Sequence, residues 1–481
     1  MNNLISVIIP SYKRVNTLKE SILSVCNQTY KNFEIIVVND CGFDTKFVID
    51  EIKEKFSEVD IKYIRHEENK GPAATKNTGI KHGNGDYIAF LDDDDLFYPE
   101  HLKTLITELN KKNNYKIAYS FAKMFSYEEK NGKLFFKKEE KFFNYTFDKD
   151  TFLFENYIPV NSFILRRELF TDKNFWFDEA LKYLEDWDLW IRISREYDFL
   201  CIPEFTSEVR RVDNSLSLQY LDMNQTQLKI YKKYKINQYE YPILYSKRKK
   251  AEDEIKCAVY LLKKLKNKEV FEKASIVVPI ENNIEFFNVL KDIYEERTYY
   301  YHKELIIVNS NTTDDFLKKT EEIVKKYKKI KMLHSEDKLK ISQMLNYGVE
   351  YSSGEYIVFL INTLPNVYWL TSMIMFYETH RNCGIIGGKI ATDRDFKISD
   401  NIRSYFKIFK TSERFSLQNN KKEKIKFIYS NILFLKTTDF FKIGKLDETI
   451  DDIGSILNFI SKIKEIGKNV YYNPFSEGYM P

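Results

Sequence analysis

The segment Gly85–Asp95 reads GDYIAFLDDDD, an apolar run typical of a buried strand that ends abruptly in four consecutive carboxylates. Adjacent acids repel one another unless a cation lies between them. Oxygen-rich sites of this kind suit Mg²⁺ or Mn²⁺ holding a phosphate. Runs of acids are also common in solvated loops, but here apolar sequence flanks the acids on both sides, since LFYP follows at Leu96–Pro99. The segment therefore predicts a metal site for phosphate-linked chemistry.

The pattern around this segment occurs twice in the chain, at a separation of about 270 residues. Four pairs of segments match in the same order: 6–10 with 275–279, 33–40 with 303–310, 77–80 with 346–349, and 85–91 with 354–360. A nearly constant offset makes chance an unlikely explanation. The chain is therefore expected to contain two copies of one fold.

Helical patterns separate the strands of each copy, for example at residues 16–27 and 45–56. Alternating strands and helices predict right-handed crossovers and a mainly parallel, Rossmann-like sheet. Ligands bind beyond the carboxyl ends of such strands. We expect two tandem α/β domains, at residues 1–218 and 274–481, joined by a helical connector at residues 219–273.

Composition excludes several classes of protein. The formal net charge of +4, from 75 basic and 71 acidic residues, argues against a nucleic-acid partner and leaves weak peripheral association with anionic membranes open. The five cysteines are scattered and form no CxxC pair, which favours a reducing cytoplasm over disulfides or zinc. No leader-like segment opens the chain, and no apolar run reaches the roughly 18 to 20 residues of a membrane span.

A second acidic cluster, Tyr183–Arg192, stands where an apolar helical stripe begins. The helix dipole favours carboxylates in a first turn, so Glu185 and Asp186 suit a helix start even without a function. Trp187 offers a flat surface on which a sugar ring stacks, although tryptophans at this spacing are equally common in cores. Asp40, at the end of the second strand, suits a base or ribose contact, but a turn or capping role is more common for a lone aspartate there.

Together these segments resemble the family 2 glycosyltransferases of the GT-A fold, over about residues 3–218. Five signatures occur in the family's order: Ser6–Arg14, Gln28–Asp40, Asn69–Gly79, Phe90–Asp95 and Glu185–Trp190. The resemblance implies an inverting transfer of a sugar from a nucleotide sugar, usually UDP-linked, with Mn²⁺ or Mg²⁺ as cofactor. It implies an acceptor hydroxyl on a glycan, a lipid carrier or a protein.

The resemblance also assigns roles to single residues. Asp186 matches the catalytic base, with Glu185 beside it, and Trp187 is expected to contact the acceptor. Asp92 and Asp94 match the metal-binding positions. Nucleotide-sugar binding falls to a set at the strand ends and after the base: Pro10, Tyr12, Arg14, Asp40, Lys76, Asp92, Asp93 and Arg211.

Two departures from the family pattern matter. Lys76 stands where arginine is frequent, which keeps the positive charge near the diphosphate but loses the bidentate fork. The segment Arg210–Ser217 resembles one that folds over the diphosphate in many members, yet it lacks the histidine common there. Phosphate binding by Arg210 or Arg211 is therefore expected from this segment, with metal coordination in doubt.

The second copy lacks the expected ligands. Its counterpart of the four aspartates is Ile361–Leu364, and Asp40 becomes Ser310. A leucine cannot replace a ligand of a hard cation. We expect a degenerate copy that holds the acceptor, braces the first copy or mediates self-association, while a metal-independent second activity at Asp452 is the alternative.

The sequence leaves a second class of function open, a module that binds nucleotides or sugars without catalysis. The acids at Asp92–Asp95 and Asp186 disfavour that alternative. The identities of the sugar and the acceptor cannot be read from these residues. The protein is expected in the cytoplasm, free or at the inner face of the membrane.

Overall fold

The computed structural model describes residues 3–130, 133–212, 217–267, 269–283, 287, 294, 298, 300–327, 329–361, 364–365, 368–391, 423–425 and 432–479. The chain divides into two compact units, Met1–Ala251 and Glu252–Pro481. This division falls inside residues 219–273, the segment expected to be a connector, and helices Ser217–Lys233 and Pro242–Lys266 cover much of that segment.

The first unit is an α/β fold. Its strands β1 to β9 are Ile5–Ser11, Phe33–Asn39, Asp60–Arg65, Tyr87–Phe90, Leu96–Phe97, Ile117–Lys130, Lys133–Phe143, Phe163–Arg166 and Leu200–Val212. Its helices α1 to α8 are Val15–Cys26, Lys46–Lys55, Pro72–His82, His101–Lys111, Glu168–Thr171, Glu185–Ser194, Ser217–Lys233 and Pro242–Lys266, the last running past the division.

These strands form one sheet in the order β3-β2-β1-β4-β8-β6-β9-β5, with β7 paired to β6. The strands β3, β2, β1 and β4 pair in parallel, whereas β8 is antiparallel to both of its neighbours. Every residue of β2, FEIIVVN, is buried, as expected of a parallel strand covered by helices on both faces. The parallel half therefore presents its strand ends at one edge, as the sequence predicted.

The second unit repeats this architecture. Its strands β10 to β18 are Ala274–Ile280, Lys303–Asn309, Ile330–His334, Tyr356–Leu360, Leu364–Pro365, Cys383–Ala391, Glu423–Ile425, Ile432–Lys436 and Asn469–Tyr479. Its helices α9 to α13 are Asp314–Lys326, Ile341–Glu350, Trp369–Thr379, Thr437–Ile443 and Asp452–Lys462. The order β12-β11-β10-β13-β17-β15-β18-β14 copies that of eight strands of the first sheet, which confirms the tandem fold, while the ninth strand, β16, pairs with β18.

Equivalent side chains make the same contacts in both units. Asn77 Nδ2 donates to the carbonyl of Phe177 at 3.0 Å, and the amide of Phe177 donates to Asn77 Oδ1 at 3.0 Å. Asn346 makes the same pair of hydrogen bonds with Leu446, at 2.9 and 3.0 Å. Each asparagine fixes the loop that leads to the next helix, so the repeat extends to individual hydrogen bonds.

Candidate active site

The carboxyl ends of β1, β2 and β4 meet at one edge of the first sheet. Ser11 pairs with Asn39 at the ends of β1 and β2, and Ile8 pairs with Phe90 between β1 and β4. Pro10, the last residue but one of β1, lies at this edge with half-buried surface. The strand ends therefore lie at one edge of the sheet, as the sequence predicted, and a common binding crevice there stays a prediction.

The four aspartates after β4 alternate between two environments. Asp93 and Asp95 are almost fully buried. Asp95 accepts hydrogen bonds from Asn161 Nδ2 at 3.0 Å and from the amide of Arg210 at 2.9 Å. The side chains of Asp92 and Asp94 are 37% and 20% exposed, so these two carboxylates are the ones open to solvent at this edge of the sheet.

Arg14 lies against this acidic group. Its Nη1 is 2.6 Å from Asp94 Oδ2 and 3.0 Å from Asp93 Oδ1, and the amide of Tyr12 donates to Asp93 at 3.1 Å. Burial raises the pKa of Asp94 to about 7, with Asp93 and Asp92 adding to the effect and Arg14 opposing it. The structure thus places the guanidinium of Arg14 against the acids for which the sequence predicted a divalent metal ion, and the metal ion stays a prediction. Beside Arg14, 42% of Tyr12 is exposed.

Asp40 has a structural role that the sequence left open. Its Oδ1 accepts hydrogen bonds from the amide of Lys70 and Oδ2 from the amide of Gly71, both at 2.8 Å, and His66 Nδ1 lies 2.8 Å from Oδ1. These contacts hold the loop that starts α3. In the second unit the amide of Leu339 donates to Ser310 at 2.7 Å, the equivalent contact. Contact between Asp40 and a nucleotide stays a prediction.

The second acidic cluster begins α6, as predicted. Leu184 adopts a left-handed backbone with a φ of 59° immediately before the helix, a conformation that branched side chains rarely adopt. Asp186 is partly buried, and its Oδ2 accepts a hydrogen bond from Asn156 Nδ2 at 3.1 Å. Burial and the charge of Glu185 raise the pKa of Asp186 to about 6, against the opposing effects of Lys76 and Asn156. Such a carboxylate is a stronger base than a solvated one.

Lys76 joins the two acidic clusters. Its Nζ lies 2.7 Å from Glu185 Oε1 and 3.6 Å from Asp92 Oδ1, and the side chain is 4% exposed. Burial lowers its pKa, but the charges of Asp92, Glu185 and Asp186 outweigh burial and raise the pKa of Lys76. Glu185 is therefore the partner that neutralises a buried ammonium group, and a catalytic role for Glu185 stays a prediction.

The predicted acceptor contact at Trp187 is wrong. Trp187 is 1% exposed, and its Nε1 donates to the carbonyl of Phe152 at 2.7 Å. Its ring packs edge-on against Tyr231 with centroids 5.8 Å apart. Trp187 anchors α6 in the core and offers no face to an acceptor. A core position was the other interpretation that the spacing of the tryptophans allowed.

Arg210 and Arg211, in the segment that follows the predicted catalytic base, contact different partners. Arg211 donates to the hydroxyl of Tyr220 on α7 at 2.9 Å, and Arg210 pairs with Glu208 at 3.2 Å and with Glu20. Arg210 also stacks over Tyr127, 5.3 Å from the ring centroid. Phosphate binding by Arg211 stays a prediction, and residues 213–216 lie outside the described residues.

Sequence reasoning missed two asparagines, which supply amide donors to the acids. Asn156 reaches Asp186 and Asn161 reaches Asp95, both from the segment before β8. The segment carries no motif, and an isolated asparagine is usual in loops. Only the packing of this segment against α6 and β9 shows the role.

In the second unit, the residues at the positions of the candidate site are buried or hydrogen-bonded within the fold. Ile361, at the position of Asp92, is buried, and Leu345 is fully buried at the position of Lys76. Asp451 accepts a hydrogen bond from the amide of Gly454 in its own helix, and Asp452 accepts one from the amide of Ser342 in the first turn of α10. Residues 362–363 lie outside the described residues.

The family model of Glycosyl transferase family 2 matches residues 6–172 and again residues 275–439. The chain belongs to glycosyl transferase family 2. The family model matches both copies, and the second copy lacks acids at the positions of Asp40 and Asp92–Asp95. Family membership supports a role in glycosyl transfer.

Several relatives match less than half of the chain. The chain is 34% identical over 200 residues to the uncharacterized glycosyltransferase YwdF of Bacillus subtilis, which covers 41% of this chain and 71% of that protein. It is 33% identical over 222 residues to MJ1057 of Methanocaldococcus jannaschii, covering 44% and 73%. The match to RT0329 of Rickettsia typhi, at 34% identity, spans 59% of that protein, less than two thirds of its length.

Similar solved structures include two proteins in complex with nucleotide sugars. Staphylococcus aureus TarS 1-349 in complex with UDP-GlcNAc is 18% identical with a TM-score of 0.38, over 53% of this chain and 72% of that one. The mannosyltransferase PcManGT of Pyrobaculum calidifontis, in complex with GDP-Man and Mn2+, is 15% identical with a TM-score of 0.41, over 55% and 75%.

Proposed function

We propose that the first unit transfers a hexosyl or N-acetylhexosaminyl group from a UDP-sugar to an acceptor hydroxyl with inversion at the anomeric carbon. The acceptor is a glycan, a lipid carrier or a protein, and the reaction takes place in the cytoplasm. The observation that carries the proposal is the position of Asp186, a partly buried carboxylate whose pKa is raised to about 6. Its neighbour Glu185 is joined through Lys76 to Asp92.

The reaction needs one carboxylate. Asp186 accepts the proton of the acceptor hydroxyl while that oxygen bonds to the anomeric carbon and the bond from this carbon to the diphosphate oxygen breaks. The leaving diphosphate keeps the electron pair as an anion, so a second general acid is unnecessary. Lys76 and Arg14 supply positive charge on the side where that anion forms.

Asp92 and Asp94 are the residues that would hold a divalent cation, because Asp93 and Asp95 are used by the protein itself. Among the described residues there is no cluster of three or more His, Cys, Asp or Glu side chains suited to a metal. Two carboxylates nevertheless fit Mg²⁺, which usually takes its remaining ligands from water and substrate phosphates. When bound, Mn²⁺ or Mg²⁺ would neutralise the charge of the departing diphosphate. The guanidinium of Arg14 would then give up its contact with Asp94.

We infer that the second unit does not catalyse transfer. Its two candidate acids act as acceptors for helix amides, and the positions of Asp92 and Lys76 are taken by buried aliphatic side chains.

In the part of the chain that the structure describes, no helix combines the length and apolar character needed to cross a bilayer.

A thermal-shift panel tests the proposal. We would melt the protein with UDP-glucose, UDP-galactose, UDP-GlcNAc and GDP-mannose, each with and without Mn²⁺. A ligand at 100 times its Kd stabilises the folded state by about 2.7 kcal/mol, which is readily seen as a raised melting temperature. The donor that raises it only with Mn²⁺ is then used to measure release of nucleoside diphosphate.

The variants Asp186→Asn and Asp452→Asn form a matched pair from the two units. We expect Asp186→Asn to keep the thermal shift and to lower the rate of transfer about 10²- to 10⁴-fold, and Asp452→Asn to leave both unchanged. A thermal shift without any release of diphosphate would favour the alternative of a binding module. Loss of one of two products in Asp452→Asn would contradict the degenerate second unit.

A further inference from the structure

The hairpin of β6 and β7, in which β7 pairs with β6 off the main strand order of the first sheet, exposes an unusual set of side chains. Five consecutive residues of β7, Phe135–Glu139, are exposed, and Phe135 and Phe136 are 50% and 62% exposed. Neighbouring residues of a strand point to opposite faces, so phenylalanine is exposed on both faces of the hairpin. Exposed apolar groups at this density mark an interaction site.

The aromatic set continues along the face that bears Phe136. Phe136 packs against Phe125 with ring centroids 5.8 Å apart. Further along the hairpin, Phe142 packs against Phe205 with centroids 5.4 Å apart, and both rings are more than a third exposed. The hairpin thus carries a stripe of aromatic rings rather than a single exposed side chain.

Positive charge accompanies the rings. Residues 117–143, the two strands of the hairpin and their turn, contain six lysines and four glutamates, a surplus of two positive charges in a chain whose total net charge is +4. Lys123 Nζ lies 5.9 Å from the Phe142 centroid and 5.4 Å from that of Phe205, and Lys141 Nζ lies 4.9 Å from that of Phe143. Lysines on an edge strand also discourage aggregation, but exposed phenylalanines beside them have the opposite effect.

We propose that this hairpin, β6–β7, docks the protein on an anionic lipid surface. Phenylalanine rings enter the interface between headgroups and acyl chains, while lysines contact lipid phosphates. The charge of the hairpin is complementary to such a surface. A fluid interface surrounds both faces of a hairpin, whereas a flat protein or glycan partner contacts only one. The inference concerns binding and does not depend on the transfer reaction.

A glycan is the less suitable occupant. Sugar rings stack on free aromatic faces, but Lys123 lies over the rings of Phe142 and Phe205. The exposed rings are mainly phenylalanines, which lack the hydroxyl or indole donor that fixes a sugar.

Vesicle sedimentation of the full chain tests the proposal. The probes are vesicles of phosphatidylcholine alone and of phosphatidylcholine with phosphatidylglycerol in a ~7:3 ratio, in low and high salt. We expect binding to the anionic vesicles that weakens with salt. The double variant Phe135→Ser/Phe136→Ser should bind about tenfold less tightly, since two partly exposed rings no longer enter the interface.

The matched control is Phe43→Ser/Phe47→Ser, because these two phenylalanines are 62% and 61% exposed in the same unit but belong to the turn before α2 and to α2. It should bind like the unchanged protein. Equal losses in both double variants, equal binding to neutral vesicles, or no vesicle binding would each overturn the proposal. Binding to immobilised glycans without vesicle binding would do so as well.

A conservative variant covers the case in which the serine variant fails to fold. Phe136→Trp keeps an aromatic side chain at the exposed position, and its emission is compared with that of the unchanged protein. On anionic vesicles that contain brominated lipid we expect a blue-shifted component that the bromine quenches. Emission that the vesicles leave unchanged would contradict insertion of this hairpin.

Discussion

The pH dependence of transfer tests the assignment of Asp186 most directly. The carboxylate is the active form of a base, so activity should fall as the pH drops through the pKa of about 6. Two substitutions next to Asp186 should move this midpoint in opposite directions. Asn156→Ala removes a hydrogen bond that favours the carboxylate, and Glu185→Gln removes a like charge that disfavours it.

The structure sets the size of the first shift. Asn156 Nδ2 lies 3.1 Å from Asp186 Oδ2, a hydrogen bond to a charged group. Such bonds contribute about 1.5–3 kcal/mol, and 1.36 kcal/mol corresponds to about one pH unit. Asn156→Ala should therefore raise the midpoint by about 1–2 pH units, whereas Glu185→Gln should lower it.

The assay is kcat/KM for release of nucleoside diphosphate between about pH 5 and 9, with the donor found by thermal shift. Asn27→Ala, at an exposed asparagine that donates to the carbonyl of Leu23, is the control and should not move the midpoint. Shifts of both variants in one direction, or no shift in either, would refute the reasoning that Asp186 is the titrating base.

Three further outcomes follow from the geometry. Arg14→Gln removes the guanidinium that contacts Asp93 and Asp94, so calorimetry should show Mn²⁺ binding several-fold more tightly to the nucleotide-free variant than to the unchanged protein. An unchanged affinity for Mn²⁺ would count against the metal site. Lys76→Met leaves the buried Glu185 unpaired and should destabilise the first unit by about 3–5 kcal/mol. The melting temperature of Lys76→Met/Glu185→Gln should lie closer to that of the unchanged protein. If Lys76→Met melted at the same temperature as the unchanged protein, the pairing would be disproved. Gly79→Ala places a methyl group 2.4 Å from Ile8 Cγ2 and should lower the free energy of unfolding in urea by about 1–3 kcal/mol. An unchanged free energy of unfolding would show that α3 moves away to make room.

The repeat made most of the fold predictable. Residues 16–27 and 45–56 were expected to be helices, and α1 and α2 occupy Val15–Cys26 and Lys46–Lys55. Apolar periodicity is a local property, so it predicts such elements well. The division at Ala251 differs from the expected connector boundaries, because it depends on which unit each connector helix packs against.

The site was predictable in its location but not in its internal contacts. The acids after β4 and at the start of α6 lie where strand ends and a helix dipole place them. The resemblance assigned Asp92 and Asp94 to the metal, but residue type alone could not show that Asp93 and Asp95 are buried, because burial depends on how the backbone turns each carboxylate toward solvent or protein.

The sequence by itself determined the family, the two copies and the loss of acids in the second copy, since these depend on residue type and order. Only the tertiary structure decided that Trp187 belongs to the core, that Asp40 holds a loop and that Lys76 pairs with Glu185. The last contact joins residues 109 positions apart. Burial and pairing over such separations depend on how helices pack on the sheet, which local patterns do not specify.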